Sequence, residues 1–143
     1  MSAPILSAAG LVKHFNAGGI GAGRKVVRAV DGVSFDLAAG ETLGVVGESG
    51  CGKSTMARLV VQLLTPDQGA VRFQGKMAGS EIPLRQFRQQ VQMVFQDSYA
   101  SLNPRLTMID AIAFGPRVHA PDKPEPTRHA YGLLERVALD PSP

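Results

Sequence analysis

A lysine and a hydroxyl set behind a run of glycines can hold phosphate. This chain carries that arrangement as Gly47-Glu48-Ser49-Gly50-Cys51-Gly52-Lys53-Ser54-Thr55, which fits the pattern G-x-x-x-x-G-K-[ST]. Glycines let the backbone curl so that several N–H groups converge, a path that Cβ atoms would strain. A helix that follows adds its unpaired N–H groups and the positive end of its dipole. In that geometry Lys53 reaches the β- and γ-phosphates and the Ser54 hydroxyl meets Mg2+. The run therefore predicts a nucleoside triphosphate site made of Gly47, Glu48, Ser49, Gly50, Cys51, Gly52, Lys53, Ser54 and Thr55.

The flanking segments supply the context that the pattern requires. Thr42-Leu43-Gly44-Val45-Val46 reads as a short buried strand. Met56 to Leu64 reads as a helix, with Pro66 just past its end. Strand, loop and helix in this order argue against a glycine loop that is merely structural. The loop alone does not separate kinases, GTPases, helicases and transport ATPases.

The rest of the chain reads as alternating short elements. Residues 5–15 form an irregular first strand, followed by a glycine-rich loop to about Arg24. Val26 to Val30 and Val33 to Leu37 are two strands broken at Asp31-Gly32, a hairpin signal. Thr65-Pro66-Asp67-Gln68-Gly69 is a turn, and Ala70 to Phe73 a strand. Leu84 to Gln90 is a polar helix, Val91 to Phe95 an alternating strand, and Thr107 to Phe114 a short helix. Thr127 to Leu139 is amphipathic, with Ala130, Leu133, Leu134 and Val137 on one face.

Composition bounds the function classes. The chain has 143 residues, 44% hydrophobic and 19% charged, which suits one globular domain with a moderate core. A net charge of +3, with no basic stripe interleaved with aromatics, argues against a nucleic-acid partner. No apolar stretch reaches the length of a membrane span, so membrane association is expected only through partner subunits. Cys51 is the only cysteine, which excludes an internal disulfide and a cysteine metal cluster and fits a reducing cytoplasm. Its thiol is expected to be alkylatable. His14, His119 and His129 lack metal-ligand spacing, and surface or structural roles are expected for them. The start of the chain lacks the features of a secretory signal, and a mature cytoplasmic start is expected.

Three further segments give the phosphate loop an identity. Ala29 to Phe35, Gly40 to Thr55 and Gln92-Met93-Val94-Phe95-Gln96-Asp97 together resemble the ATP-binding subunits of ABC transporters. The run Ser101-Leu102-Asn103-Pro104-Arg105-Leu106-Thr107 is similar to the branch that serves dipeptide, oligopeptide and nickel importers. The resemblance implies an α/β fold of the P-loop NTPase class, with an antiparallel β subdomain at its N-terminal end. It implies ATP and Mg2+ as cofactors, transmembrane permease subunits as partners, and a second ATP-binding subunit. The expected location is the cytoplasmic face of the cell membrane.

Carried over by residue, Gln96 matches the Q-loop glutamine, whose amide oxygen can touch Mg2+ or the attacking water. The loop after it would contact the membrane subunit. Phe15 matches the aromatic position that stacks on adenine. Lys53 and Gln96 are the catalytic candidates, and Ser54 and Gln96 the metal candidates. The pair Glu48 and Asp97 resembles an acid–base couple by type, but the resemblance gives neither that role, and Glu48 is expected to be loop scaffolding. Family members continue into an LSGGQ-type signature, a Walker B strand with a catalytic glutamate, and a switch histidine. None of these stands in residues 1–143, whose end at Leu139-Asp140-Pro141-Ser142-Pro143 is similar to the lead-in to the signature. Residues 1–143 are therefore expected to form the N-terminal half of a nucleotide-binding domain. Such a half is expected to bind ATP–Mg2+ weakly, to hydrolyse it poorly and to expose strand edges that invite self-association. A small-molecule P-loop kinase and a non-catalytic nucleotide-binding interaction module are the rival readings, and a DNA-repair ABC ATPase is a more distant one.

Overall fold

Leu6 and Ala8 share the buried face of the first strand, and an irregularity at Gly10, with φ of 57°, brings Leu11 into the same core; that strand organises the sheet. In the computed structural model, which describes residues 3–17, 25–96, 102–119 and 125–139, the backbone forms two compact units, Met1–Met93 and Val94–Pro143.

The first unit contains an antiparallel sheet. β1 (Leu6–Ala17) lies between β2 (Lys25–Leu37) and β3 (Gln68–Phe73), and β4 (Lys76–Met77) borders β3. Asp31-Gly32 does not turn a hairpin, because β2 runs through it and pairs with β1 along its length. Leu11 faces Val33 and Val12 faces Asp31, so Gly32 is an extra residue, a bulge with φ of 75°. Glycine at positive φ suits either a turn or a bulge, and here the neighbouring strand decides. Another irregularity lies between Ala8 and Leu11, and a third follows the one at Gly32, since Lys13 faces Val30 while His14 faces Arg28, leaving Ala29 unpaired.

α1 (Lys53–Val60) begins at once after Gly52 and ends before Leu64, earlier at both ends than the apolar pattern predicts. Gln62 adopts a left-handed φ of 57°, and the Leu63 N–H donates to the Arg58 carbonyl at 2.8 Å, which closes the helix. α2 (Leu84–Gln90) has the bounds read from sequence. Its Phe87 is fully buried and meets Phe73 edge to face, with ring centroids 5.8 Å apart. Leu59 of α1, Val30 of β2, Val71 of β3 and Ile82 join this core.

Two expected strands are missing from the ladders. Thr42–Val46 pairs with nothing among the described residues; Leu43 and Val45 are exposed and Val46 is 94% exposed. Val91–Phe95 pairs with nothing either; Val91 packs on the core, but Val94 is 93% exposed. Every pairing between the named strands is antiparallel, and the one isolated bridge among the described residues, Ala78 with Ile82, is parallel. A buried parallel strand needs neighbours beside it and cover on both faces. Without them, an apolar run of strand-forming residues stays unpaired.

The second unit holds α3 (Met108–His119) and α4 (Pro126–Arg136), which pack on each other and bury Ala113, Ala130 and Leu134. α3 continues beyond Phe114 and tolerates Pro116. α4 stops short of Leu139, leaving Val137 exposed. Thr107 caps α3: its Oγ1 accepts the Asp110 N–H at 3.1 Å and donates to Asp110 Oδ2 at 2.8 Å. Among the described residues no helix is long and apolar enough to cross a membrane.

Candidate functional site

Gly52 is the hinge of the loop. It is the N-cap of α1 with φ of 99°, and a β-carbon there would stand 2.0 Å from the Ala29 carbonyl oxygen. The Ala29 bulge on β2 thus sets where α1 begins. Gly47 is also constrained by its neighbour, since a β-carbon would meet Cys51 Sγ at 2.6 Å. Gly50 takes φ of 81° with open space around it. Gly50 and Gly52 are needed for backbone conformation, and Gly52 also for its close approach to the Ala29 backbone; Gly47 meets only the tip of the Cys51 side chain.

The loop curls around the lysine it contains. Lys53 Nζ donates to the Gly47 carbonyl at 2.6 Å and the Glu48 carbonyl at 2.7 Å, and lies 3.6 Å from Cys51 Sγ. Glu48 contributes its backbone to this cluster, and its carbonyl also accepts the Cys51 N–H at 3.4 Å. Among the described residues, nothing accepts the N–H groups of Gly52, Lys53, Ser54 and Thr55, and α1 has no side-chain cap. No acidic residue stands in the first turn of α1. Four free donors, a dipole end and an ammonium with no carboxylate beside them form a receptor for an anion.

Ser54 is exposed, and its hydroxyl bonds to no described residue. No cluster of three His, Cys, Asp or Glu residues that could hold a metal ion occurs among the described residues. A divalent cation here would take Ser54 and ligand phosphate oxygens, the donor set that hard Mg2+ prefers. Cys51 is exposed.

Phe15 lies near the end of β1, opposite Val27 and 40% exposed. Val27 is two residues from the Ala29 bulge, so β2 links the Phe15 strand to the loop. Lys13 Nζ lies 5.9 Å from the Phe15 ring centroid. His14 Nε2 is 3.6 Å from Asp31 Oδ1.

Residues 47–55 and Phe15 belong to the first unit. Gln96 is exposed and belongs to the second. Asp97, Ser101 and Asp140 to Pro143 lie outside the described residues, as does the glycine-rich loop of residues 18–24.

Two residues near the site escaped the sequence reading. Ala29 is a bland strand residue until its pairing with β1 is known. Asp67 reads only as part of a turn, yet it binds β1: Oδ1 accepts Lys13 Nζ at 2.7 Å and Oδ2 accepts the His14 N–H at 2.8 Å. Those two contacts, the His14 amide first and Lys13 second, hold its carboxyl below the usual carboxylate range.

Comparison with known proteins adds family and fold. A family model described as ABC transporter matches residues 30–142. The oligopeptide transport ATP-binding protein OppF of Bacillus subtilis is 48% identical over 122 residues, 82% of this chain and 40% of that protein. The di/tripeptide transport ATP-binding protein DppF of Pseudomonas aeruginosa is 47% identical over 112 residues, 76% of this chain and 35% of its own length. The glutathione import ATP-binding protein GsiA of Escherichia coli is 43% identical across 96% of this chain and 23% of that protein. The chain thus spans less than half of each. Among solved structures, an ATP-binding cassette in a dimeric post-hydrolysis state with ADP and Pi superposes with a TM-score of 0.78. It covers 95% of this chain and 58% of the cassette at 21% identity, a likeness of fold.

Proposed function

Because this chain belongs to the ABC transporter family, we propose that residues 1–143 are part of a nucleotide-binding domain that serves a peptide importer. The observation that carries this reading is the row of free N–H groups from Gly52 to Thr55 beside the Lys53 ammonium. A triphosphate entering the loop takes Lys53 Nζ from the Gly47 and Glu48 carbonyls. Phosphate oxygens are better acceptors for the ammonium than neutral carbonyls, because they add an opposite charge to the hydrogen bond. The four amides then bind phosphate oxygens without first losing another partner. Phe15 stacks on the adenine.

Mg2+, when bound with the nucleotide, offsets phosphate charge and orients the terminal phosphoryl group. Ser54 is its proposed protein ligand, and the Q-loop role of Gln96 is proposed for the whole protein. Phosphoryl transfer depends on a positioned water and on groups that offset the developing charge; losing one such group typically lowers rate about a hundredfold or more. Residues 1–143 alone therefore bind ATP–Mg2+ weakly and turn it over poorly. In the whole protein, a second ATP-binding subunit and transmembrane permease subunits couple nucleotide state to import, at the cytoplasmic face of the membrane. The relatives named above favour peptides over nickel as the solute.

Calorimetric titration of the chain with Mg–ATP tests the reading. Saturable binding that Lys53→Ala weakens at least about tenfold is expected, since the ammonium makes charge-assisted bonds to phosphate. Equal affinity in both proteins would refute the phosphate cradle. Steady ATP turnover abolished by Lys53→Ala would refute the inactive-alone part, and phosphate transfer to a small-molecule acceptor would favour a kinase.

A further inference from the structure

We infer that Asp67 is a positioning residue for the base end of this site, acting through Lys13 and the β1 backbone to hold Phe15 in place. The inference rests on the reading of Phe15 as the adenine platform.

The sheet itself creates the need. The ladder between β1 and β3 ends where Val12 faces Gln68, so β1 from Lys13 onward has no β3 neighbour. Asp67 takes over at that point. Its N–H donates to the Val12 carbonyl at 2.8 Å, its Oδ2 accepts the His14 N–H at 2.8 Å, and its Oδ1 accepts Lys13 Nζ at 2.7 Å. One residue thereby fixes the three positions that precede Phe15. β2 holds the opposite edge through the pairing of Phe15 with Val27.

The side chains are linked as well. Lys13 and Phe15 are two apart on a strand and so share a face. With its ammonium pinned by the Asp67 carboxylate, Lys13 stays 5.9 Å from the Phe15 ring centroid and limits how the ring can turn. Without that anchor, both the cation and the half-exposed ring are free to change rotamer.

The test compares two ligands of the same chain, Mg–ATP and Mg–tripolyphosphate, which shares the phosphates but has no base. Asp67→Asn and Lys13→Met are each expected to weaken ATP binding by about threefold or more, part of what a lost stacking contact costs. Tripolyphosphate affinity is expected to stay unchanged. A loss shared equally by both ligands would make Asp67 a merely structural residue and overturn the inference, as would no loss for either. If Asp67→Asn does not fold, Lys13→Met carries the comparison alone. Phe15→Ala separates the two levels. If Phe15→Ala spares ATP binding, the platform reading fails and takes the inference with it. If Phe15→Ala is selective for ATP while Asp67→Asn and Lys13→Met are not, only the inference falls.

Discussion

The Ala29 carbonyl oxygen lies 2.0 Å from where a β-carbon on Gly52 would stand. One unpaired residue in an edge strand therefore decides which amino acid can begin the phosphate-loop helix. Gly52→Ala must move the β2 bulge or the first turn of α1, and must also hold φ near 99°. A cost of about 1–3 kcal/mol is expected from the strain alone, with more from the clash. Gly50→Ala shares the positive φ but meets nothing within 4 Å. It is expected to cost only about 1–2 kcal/mol. Denaturant unfolding of the two variants checks the order, and equal losses would mean that the Ala29 contact is not felt.

Phe87 carries a different kind of prediction. Its side chain is fully buried and its ring meets that of Phe73, so Phe87→Ala leaves a cavity at the centre of the first unit. About 3–5 kcal/mol of stability should be lost. Phe114 is the same residue type but 62% exposed, and Phe114→Ala should change stability by less than about 0.5 kcal/mol. Thermal unfolding distinguishes them, and similar midpoints would contradict the described core.

The cap of α3 makes a prediction about pH. The Thr107 hydroxyl first, and the Arg117 guanidinium second, hold the Asp110 carboxyl below its ordinary value of 3.8. A carboxyl whose folded value is depressed adds stability fully above the unfolded value. That contribution fades as pH falls through the folded value. It is therefore intact at neutral pH and lost only below about 3.8. Carboxyl carbon shifts followed by NMR should show Asp110 titrating low. Thr107→Val should raise the midpoint more than Arg117→Met does. A midpoint that neither substitution moves would remove the cap from the account.

What the sequence made legible was local. The loop from Gly47 to Thr55 announces itself because glycine, lysine and serine at fixed spacing have few other uses. α2 is bounded by Pro83 and by the return to extended backbone at Val91. Asp31-Gly32 reads as a hairpin yet forms a bulge within one strand, because the same pair serves either and only the partner strand decides. Thr42–Val46 and Val91–Phe95 have the composition of strands, but a strand is completed by a neighbour that sequence pattern does not specify. Asp67 was hidden because an aspartate after a proline is sufficiently explained by a turn. Its grip on β1 reaches back to Lys13 and His14, far away along the chain.

The unpaired segments lead to a prediction about association. No described residue bonds to the backbone of Thr42–Val46, and Val46 is 94% exposed. Val94, in the other unit, is 93% exposed on a segment that is likewise unpaired. Open strand edges with apolar side chains recruit further strands, and a single lysine is an effective block. The 143-residue chain should therefore sediment with an apparent mass that rises with concentration. Val46→Lys and Val94→Lys should each reduce that rise, and the two together should reduce it further. Both side chains are almost fully exposed among the described residues, so stability should stay within about 0.5 kcal/mol of the parent. Lysine at either position would then act only on contacts between molecules. A chain that remains monomeric at every concentration would show that these edges are protected by contacts absent from the described fold.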